Sequence, residues 1–290
     1  MRRGVHHVRP KEILTAVALT ATLAVSGCST PDSTTDTTVA DRPDSIVSLS
    51  PSATETLFAV GAGDQVVGVD SQSDYPENAP RTELSAYTPS LEAIVEYEPD
   101  LVIASDDIGG LVAALGAADV PVLLLPAATS IDDAYSQIEQ VADAAGHPEE
   151  GETLVGDMRS RVDAAVAGVP AREATYFHEL DSMLYTVASA SFIGQIYGLF
   201  GLTSIADGAG SDYPQMSDEG VVAADPDFVF LADSQCCGVT VESVSDRPGW
   251  NTTTAVREGQ VVVVDEDVSS RWGPRIADQV ESVAAILEQN

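Results

Sequence analysis

Two stretches of this chain carry the same residues at the same spacing. PSLEAIVEYEPDLVI (89–103) sets Ser90 and Glu92 ahead of Val95, Pro99, Asp100 and Val102. QMSDEGVVAADPDFVF (215–230) sets Ser217 and Glu219 ahead of Val222, Pro226, Asp227 and Val229, each 127 residues later. A serine followed two residues on by a carboxylate predicts a helix start. The hydroxyl caps a free backbone N–H, and the acid meets the positive end of the helix dipole. One copy needs no further purpose. Two copies, each running into an apolar strand, point to a paired surface function with one anion per half of the chain.

Nucleophilic and metal-assisted catalysis find little support. The chain has no Gly-x-Ser-x-Gly elbow, no His-Glu-x-x-His pair and no P-loop. Asp106 and Asp107 are adjacent acids, but nothing separates them into an acid and a base. Beyond residue 28 the only histidines are His147 and His178, and His147 lies in a Gly-His-Pro break, so a bare zinc or manganese site is not expected. Cys236 and Cys237 are neighbours. Adjacent Cα atoms lie ~3.8 Å apart, short for a disulfide, so a bond between them closes a strained ring; their redox state stays open.

The elements that must position these residues follow a regular order. The first 27 residues form an export leader, with Arg2, Arg3, Arg9 and Lys11 before an apolar run too short for a membrane span. The leader ends in Val25-Ser26-Gly27-Cys28, and residues 28–43 are a polar tether. Without the leader's four cations and one anion, the net charge of −33 becomes −36, carried by a chain with nine arginines and no lysine. Such a surface repels phosphate backbones and excludes nucleic acid as a partner.

From residue 44, strand candidates (SIVSLS, QVVGVD, LVIAS, VPVLLLP) alternate with helix candidates over 52–60, 90–98 and 108–118. Ser52-Ala-Thr-Glu55 reads as a capping box opening the first helix. Helices over 130–146 and 148–167 follow. The alternation then resumes with ATYFHEL, MLYTVAS, FIGQIYGLF as a helix, TSIAD, FVFLAD, QVVVVDE and a last helix from Arg275 to Leu287. This predicts an α/β chain of two Rossmann-like lobes with mainly parallel sheets, 44–147 and 170–290, joined by one long helix over 148–169.

The segments IVSLSPSATETLFAVGAGDQVVGVD, SDYPENAP and PSLEAIVEYEPDLVIAS, then SDYPQMSDEGVVAADPDFVFLAD, RPGWNTTTAV and SSRWGPRIADQV, resemble the class III substrate-binding proteins of ABC importers for cobalamin and ferric siderophores. The resemblance runs from about residue 44 to 290. Val25 to Cys28 resembles the lipobox of bacterial lipoproteins, which implies lipid on Cys28 and a monomer held at the outer face of the cell membrane.

The resemblance implies a non-enzymatic receptor that binds its ligand between the lobes and has no intrinsic cofactor. Glu92 and Glu219 match the acids that dock on the permease dimer, which works with its ATPase. Tyr87 and Tyr213 fall at or near positions that stack on the ligand. Tyr75 lies in the SQSDYP loop that leans the ligand towards a cobalamin-type corrinoid over a ferric siderophore. His178, Glu179 and Tyr185 are expected to face the same cleft, and Arg271 and Arg275, with Trp272 between them, to contact an anionic chelate, cap the last helix or pair with the acidic surface. Haem, held by an axial Tyr or His, is the alternative ligand, and a surface-anchored hydrolase the alternative class.

Overall fold

The computed structural model describes residues 42–289; Cys28, the leader and nearly all of the tether lie outside them. The first sheet contains β1 (Ile46–Leu49), β2 (Val66–Val69), β3 (Leu101–Ala104) and β4 (Val122–Leu124), in the order β2-β1-β3-β4. The second contains β5 (Ala174–Glu179), β6 (Leu202–Ser204), β7 (Phe228–Leu231) and β8 (Val261–Val263), in the order β6-β5-β7-β8. Every pairing between these strands is parallel, and the two diagrams superimpose strand for strand. Strands covered on both faces read as unbroken apolar runs, which is why IVSL, LVIA and FVFL are buried at all positions.

Twelve helices cover the sheets among the described residues: α1 (Pro51–Ala59), α2 (Leu91–Val95), α3 (Leu111–Ala117), α4 (Ile131–Ala145), α5 (Pro148–Gly168), α6 (Phe192–Gly198), α7 (Asp218–Ala224), α8 (Ser234–Cys237), α9 (Val241–Ser245), α10 (Thr254–Glu258), α11 (Glu266–Ser270) and α12 (Ile276–Glu288). The chain passes from the first sheet to the second through α4 and α5. Gly146, left-handed at φ 79°, ends α4, and Pro148 opens α5. Helix α5 packs against α4 on one side and α12 on the other. A Cβ on Gly151 would stand 2.5 Å from that of Ala142, so the close approach of α4 and α5 requires glycine there. Val155, Met158 and Val162 of α5 are buried, in a core shared with Tyr135 and Ile138 of α4 and Val280 and Val283 of α12. Burying three such side chains is worth roughly 5–9 kcal/mol before entropy costs. This layer binds the halves together.

Three expectations are corrected. Helix α1 is capped by Ser50, whose Oγ accepts from Ala53 N, so Ser52 and Glu55 lie inside the helix and do not form a capping box. MLYTVAS is not a ladder strand: Leu184 turns left-handed at φ 63°, and the segment makes only an isolated bridge from Tyr185 to Gln215. The helix expected over 90–98 stops at Val95, because Glu98 takes φ 48° ahead of Pro99.

Candidate functional site

The internal repeat is a repeat of structure. Ser90 caps α2 by accepting from Ala93 N at 3.4 Å, and Ser217 caps α7 by accepting from Gly220 N at 3.1 Å. Glu92 and Glu219 therefore hold the same place in the first turn of matched helices, and both are exposed. Asp100 and Asp227 tie each helix exit to the first strand of its sheet. Asp100 Oδ2 accepts from Ser45 N at 3.0 Å and Ser45 Oγ at 3.0 Å; Asp227 Oδ2 accepts from Thr175 N at 2.7 Å and Thr175 Oγ1 at 3.0 Å. The match extends to Glu98 and Asp225, left-handed at φ 48° and 49°, a pair that the residue types conceal.

The exposed tyrosines sit on equivalent loops. Tyr75 and Tyr87 lie between β2 and α2, and Tyr213 lies between β6 and α7; β2 and β6 are the matching edge strands. Hydrogen bonds from Val69 N to Pro80 O and Ser71 N to Leu84 O pin the first loop to its sheet. In the second lobe, Thr186 N bonds Pro214 O, Ala188 N bonds Asp212 O and Met216 N bonds Leu184 O. These bonds bring the segments of Tyr185 and Tyr213 side by side. Tyr87 is 74 % exposed, Tyr75 48 %, Tyr213 47 % and Tyr185 37 %. Exposed phenol rings such as those of Tyr87, Tyr185 and Tyr213 are suited to stacking on a flat ligand, whereas one face of Tyr75 is taken by Arg275.

His178 and Glu179 lie deeper than the cleft surface expected of them, because both belong to the central strand β5 and are fully buried. His178 Nδ1 is 2.8 Å from the Tyr197 hydroxyl, while Nε2 has no partner. Burial lowers its pKa to about 3, so the ring is neutral at ordinary pH. Glu179 forms a two-pronged ion pair with Arg247, both contacts at 2.6 Å. Asp233, two residues past the end of β7, is buried beside this pair. Burial, then the charge of Glu179, pushes its pKa up to about 7. Arg247 lies over the Trp250 ring at 4.7 Å, and Trp250 Nε1 donates to Asp218 Oδ1 at 2.7 Å. A polar chain thus runs from the end of β5 to α7, next to Glu219.

Arg271 and Trp272 are built into the junction between the lobes. Arg271 donates to Glu55 Oε1 at 3.1 Å, Asp74 Oδ1 at 2.8 Å, Asp267 Oδ1 at 2.7 Å and Gln72 O at 3.1 Å. Trp272 N donates to Ser52 Oγ and Trp272 Nε1 to Gln137 Oε1, each at 3.1 Å. Arg275 grips Glu55 at 2.6 and 2.9 Å and covers the Tyr75 ring at 4.3 Å. Glu55, on α1 of the first lobe, is the hub of this latch. Sequence reasoning missed Glu55, Asp233 and Arg247. The available signal was the scarcity of cations, since nine arginines spread among 45 acids beyond the leader leave few for buried carboxylates. Among the described residues no group of three or more His, Cys, Asp or Glu is arranged to hold a metal ion.

Residues 46–268 match the periplasmic binding protein family. The chain belongs to that family. Among its relatives is a cobalamin-binding protein of Halobacterium salinarum (strain ATCC 29341 / DSM 671 / R1), 33% identical over 265 residues, covering 87% of this chain and 71% of that protein. Another is the ABC transporter substrate-binding lipoprotein YvrC of Bacillus subtilis (strain 168), 31% identical over 261 residues, covering 86% of this chain and 81% of the relative. The solved periplasmic heme-binding protein RhuT from Roseiflexus sp. RS-1 has a TM-score of 0.72 at 25% identity, covering 85% of this chain and 98% of that one. The family accounts for the paired parallel-sheet lobes.

Proposed function

We propose that this member of the periplasmic binding protein family is the lipid-anchored, extracytoplasmic solute-binding component of an ABC importer. It captures a metal chelate between its lobes and delivers it to a permease dimer driven by an ATPase. The observation that carries this reading is the matched pair of exposed acids, Glu92 and Glu219, each at the start of the corresponding helix in its lobe. A two-subunit permease needs one contact per half, and an exposed carboxylate facing arginine steers association and fixes register. The lipid anchor is Cys28, outside the described residues.

The ligand is a cobalamin-type corrinoid in the first instance, with a ferric siderophore next. Three exposed tyrosines on the strand-end loops, Tyr87, Tyr185 and Tyr213, support a broad flat chelate, and the halobacterial relative is a cobalamin-binding protein. Haem is the second reading, favoured by Tyr87: its exposed phenol is able to supply an axial oxygen. Tyr213 suits that role less well, since burial and Asp212 raise its pKa and disfavour the phenolate. The neutral, buried His178 supports the lobe from within. The Glu55 latch favours a small change of lobe angle on binding. The test is uptake: cells lacking this protein should lose import of labelled cobalamin at nanomolar supply and regain it with the gene restored. Unchanged import of cobalamin, ferric siderophore and haem would overturn the reading.

A further inference from the structure

Cys236 and Cys237 are joined by a disulfide between adjacent residues. Its position is unusual for a structural bond, because both half-cystines are exposed. The stabilisation a disulfide gives by restricting the unfolded chain grows with the length of the closed loop. A bond between neighbours closes almost none, so global stability does not account for it. What the bond changes is the local surface. Two thiols, which donate and ionise, become a polarizable sulfur pair with no donor and no charge.

The pair is held in place. It ends α8, the first turn after the central strand β7. Cys236 N donates to Glu266 Oε2 at 3.0 Å, Cys237 N to Asp233 O at 3.1 Å and Ser234 Oγ to Val239 O at 2.6 Å. Gly238, at φ 69°, then turns the chain back. Glu266 opens α11, and its neighbour Asp267 accepts from Arg271, the residue that reaches Glu55 and Asp74 of the first lobe. The disulfide therefore lies at a strand end, a short polar chain away from the junction of the lobes.

We propose that the Cys236–Cys237 disulfide is a ligand-contact plate in the second lobe, offering a polarizable apolar surface to a metal chelate, and that its reduction weakens capture. This rests on the receptor reading above. The reductant is a small thiol: two molecules give two electrons and two protons, the S–S bond breaks, Cys236 and Cys237 become thiols, and the reductant leaves as its own disulfide.

The test uses the full chain in detergent, titrated by calorimetry with cyanocobalamin, haemin and a ferric hydroxamate siderophore. Native alkylation followed by mass spectrometry of the Cys236–Cys237 peptide reads the bond. The double variants Cys236→Ser/Cys237→Ser and Cys236→Ala/Cys237→Ala, and the wild type reduced by dithiothreitol, should bind the wild type's chelate about three- to tenfold more weakly. Their melting temperatures should stay near that of the wild type, and reoxidation should restore affinity to the reduced wild type. Equal affinity in all forms, or two free thiols in the untreated chain, overturns the inference while leaving the receptor reading intact. Failure of the wild type to bind any of the three overturns both.

Discussion

Replacing Glu55 by Gln removes the charge at the centre of the lobe junction while keeping the side chain's size. Glu55 is 1 % exposed and accepts from two arginines across the junction. After the change, Arg271 still has Asp74, Asp267 and the Gln72 carbonyl, so its charge stays compensated. Arg275 loses its ion-pair partner and keeps the Tyr75 ring and the more distant charges of Asp265 and Asp267, and at 15 % exposure water reaches it poorly. Removing one partner of a buried ion pair costs about 3–5 kcal/mol, because the other charge is stranded. One stranded guanidinium with some solvent access puts the loss near the low end, about 3 kcal/mol. For a chain of this size that corresponds to a drop of roughly 6–12 °C in melting temperature. Arg275→Met in the same chain should recover part of the loss, since the two residues share one interaction and their effects are not additive. Differential scanning calorimetry of the wild type, both single variants and the double reads this directly. A Glu55→Gln variant that melts with the wild type, or strictly additive effects, would refute the latch.

The left-handed pair gives an asymmetric result. Glu98→Gly relieves a backbone conformation that glycine adopts freely and should stabilise by about 0.5–1 kcal/mol in urea unfolding. Asp225→Gly should give no such gain, because the Asp225 carboxylate accepts from Thr254 N at 2.6 Å. The raised pKa of Asp233 has a defined sign: its contribution is full below its unfolded value near 3.8 and lost as pH rises through about 7. The stability of Asp233→Asn relative to wild type should therefore climb across that window, and a flat difference would show that Asp233 titrates normally. Glu92→Ala and Glu219→Ala should reduce uptake by the intact importer while leaving chelate affinity unchanged; normal uptake by the double variant would remove their docking role.

Much of the architecture was legible because parallel strands buried on both faces leave unbroken apolar runs, and IVSL, LVIA and FVFL each became a strand. The matched acids were legible for a related reason. Capping is local chemistry, so Ser90 and Ser217 announce their helices within three residues. MLYTVAS misled because its composition suits a strand, whereas Leu184 turns it away from the ladder. The latch was hidden by distance. Arg271 and Glu55 lie 216 residues apart, and Arg247 and Glu179 lie 68 apart. Nothing local marks such partners, and Glu55, three residues after Ser52, has an adequate local explanation that the structure replaces. His178 stands between Phe177 and Glu179 on β5 and shares its sheet face with Tyr176, which does not say whether that face meets ligand or core.

The central claim is capture of a metal chelate, and equilibrium titration of the purified protein tests it most directly. Cyanocobalamin, haemin and a ferric hydroxamate siderophore are each titrated by calorimetry, with absorbance followed in parallel. One of them should bind saturably at one per chain, and Tyr87→Ala and Tyr213→Ala should weaken that binding. Absence of heat and of any spectral change with all three would contradict it.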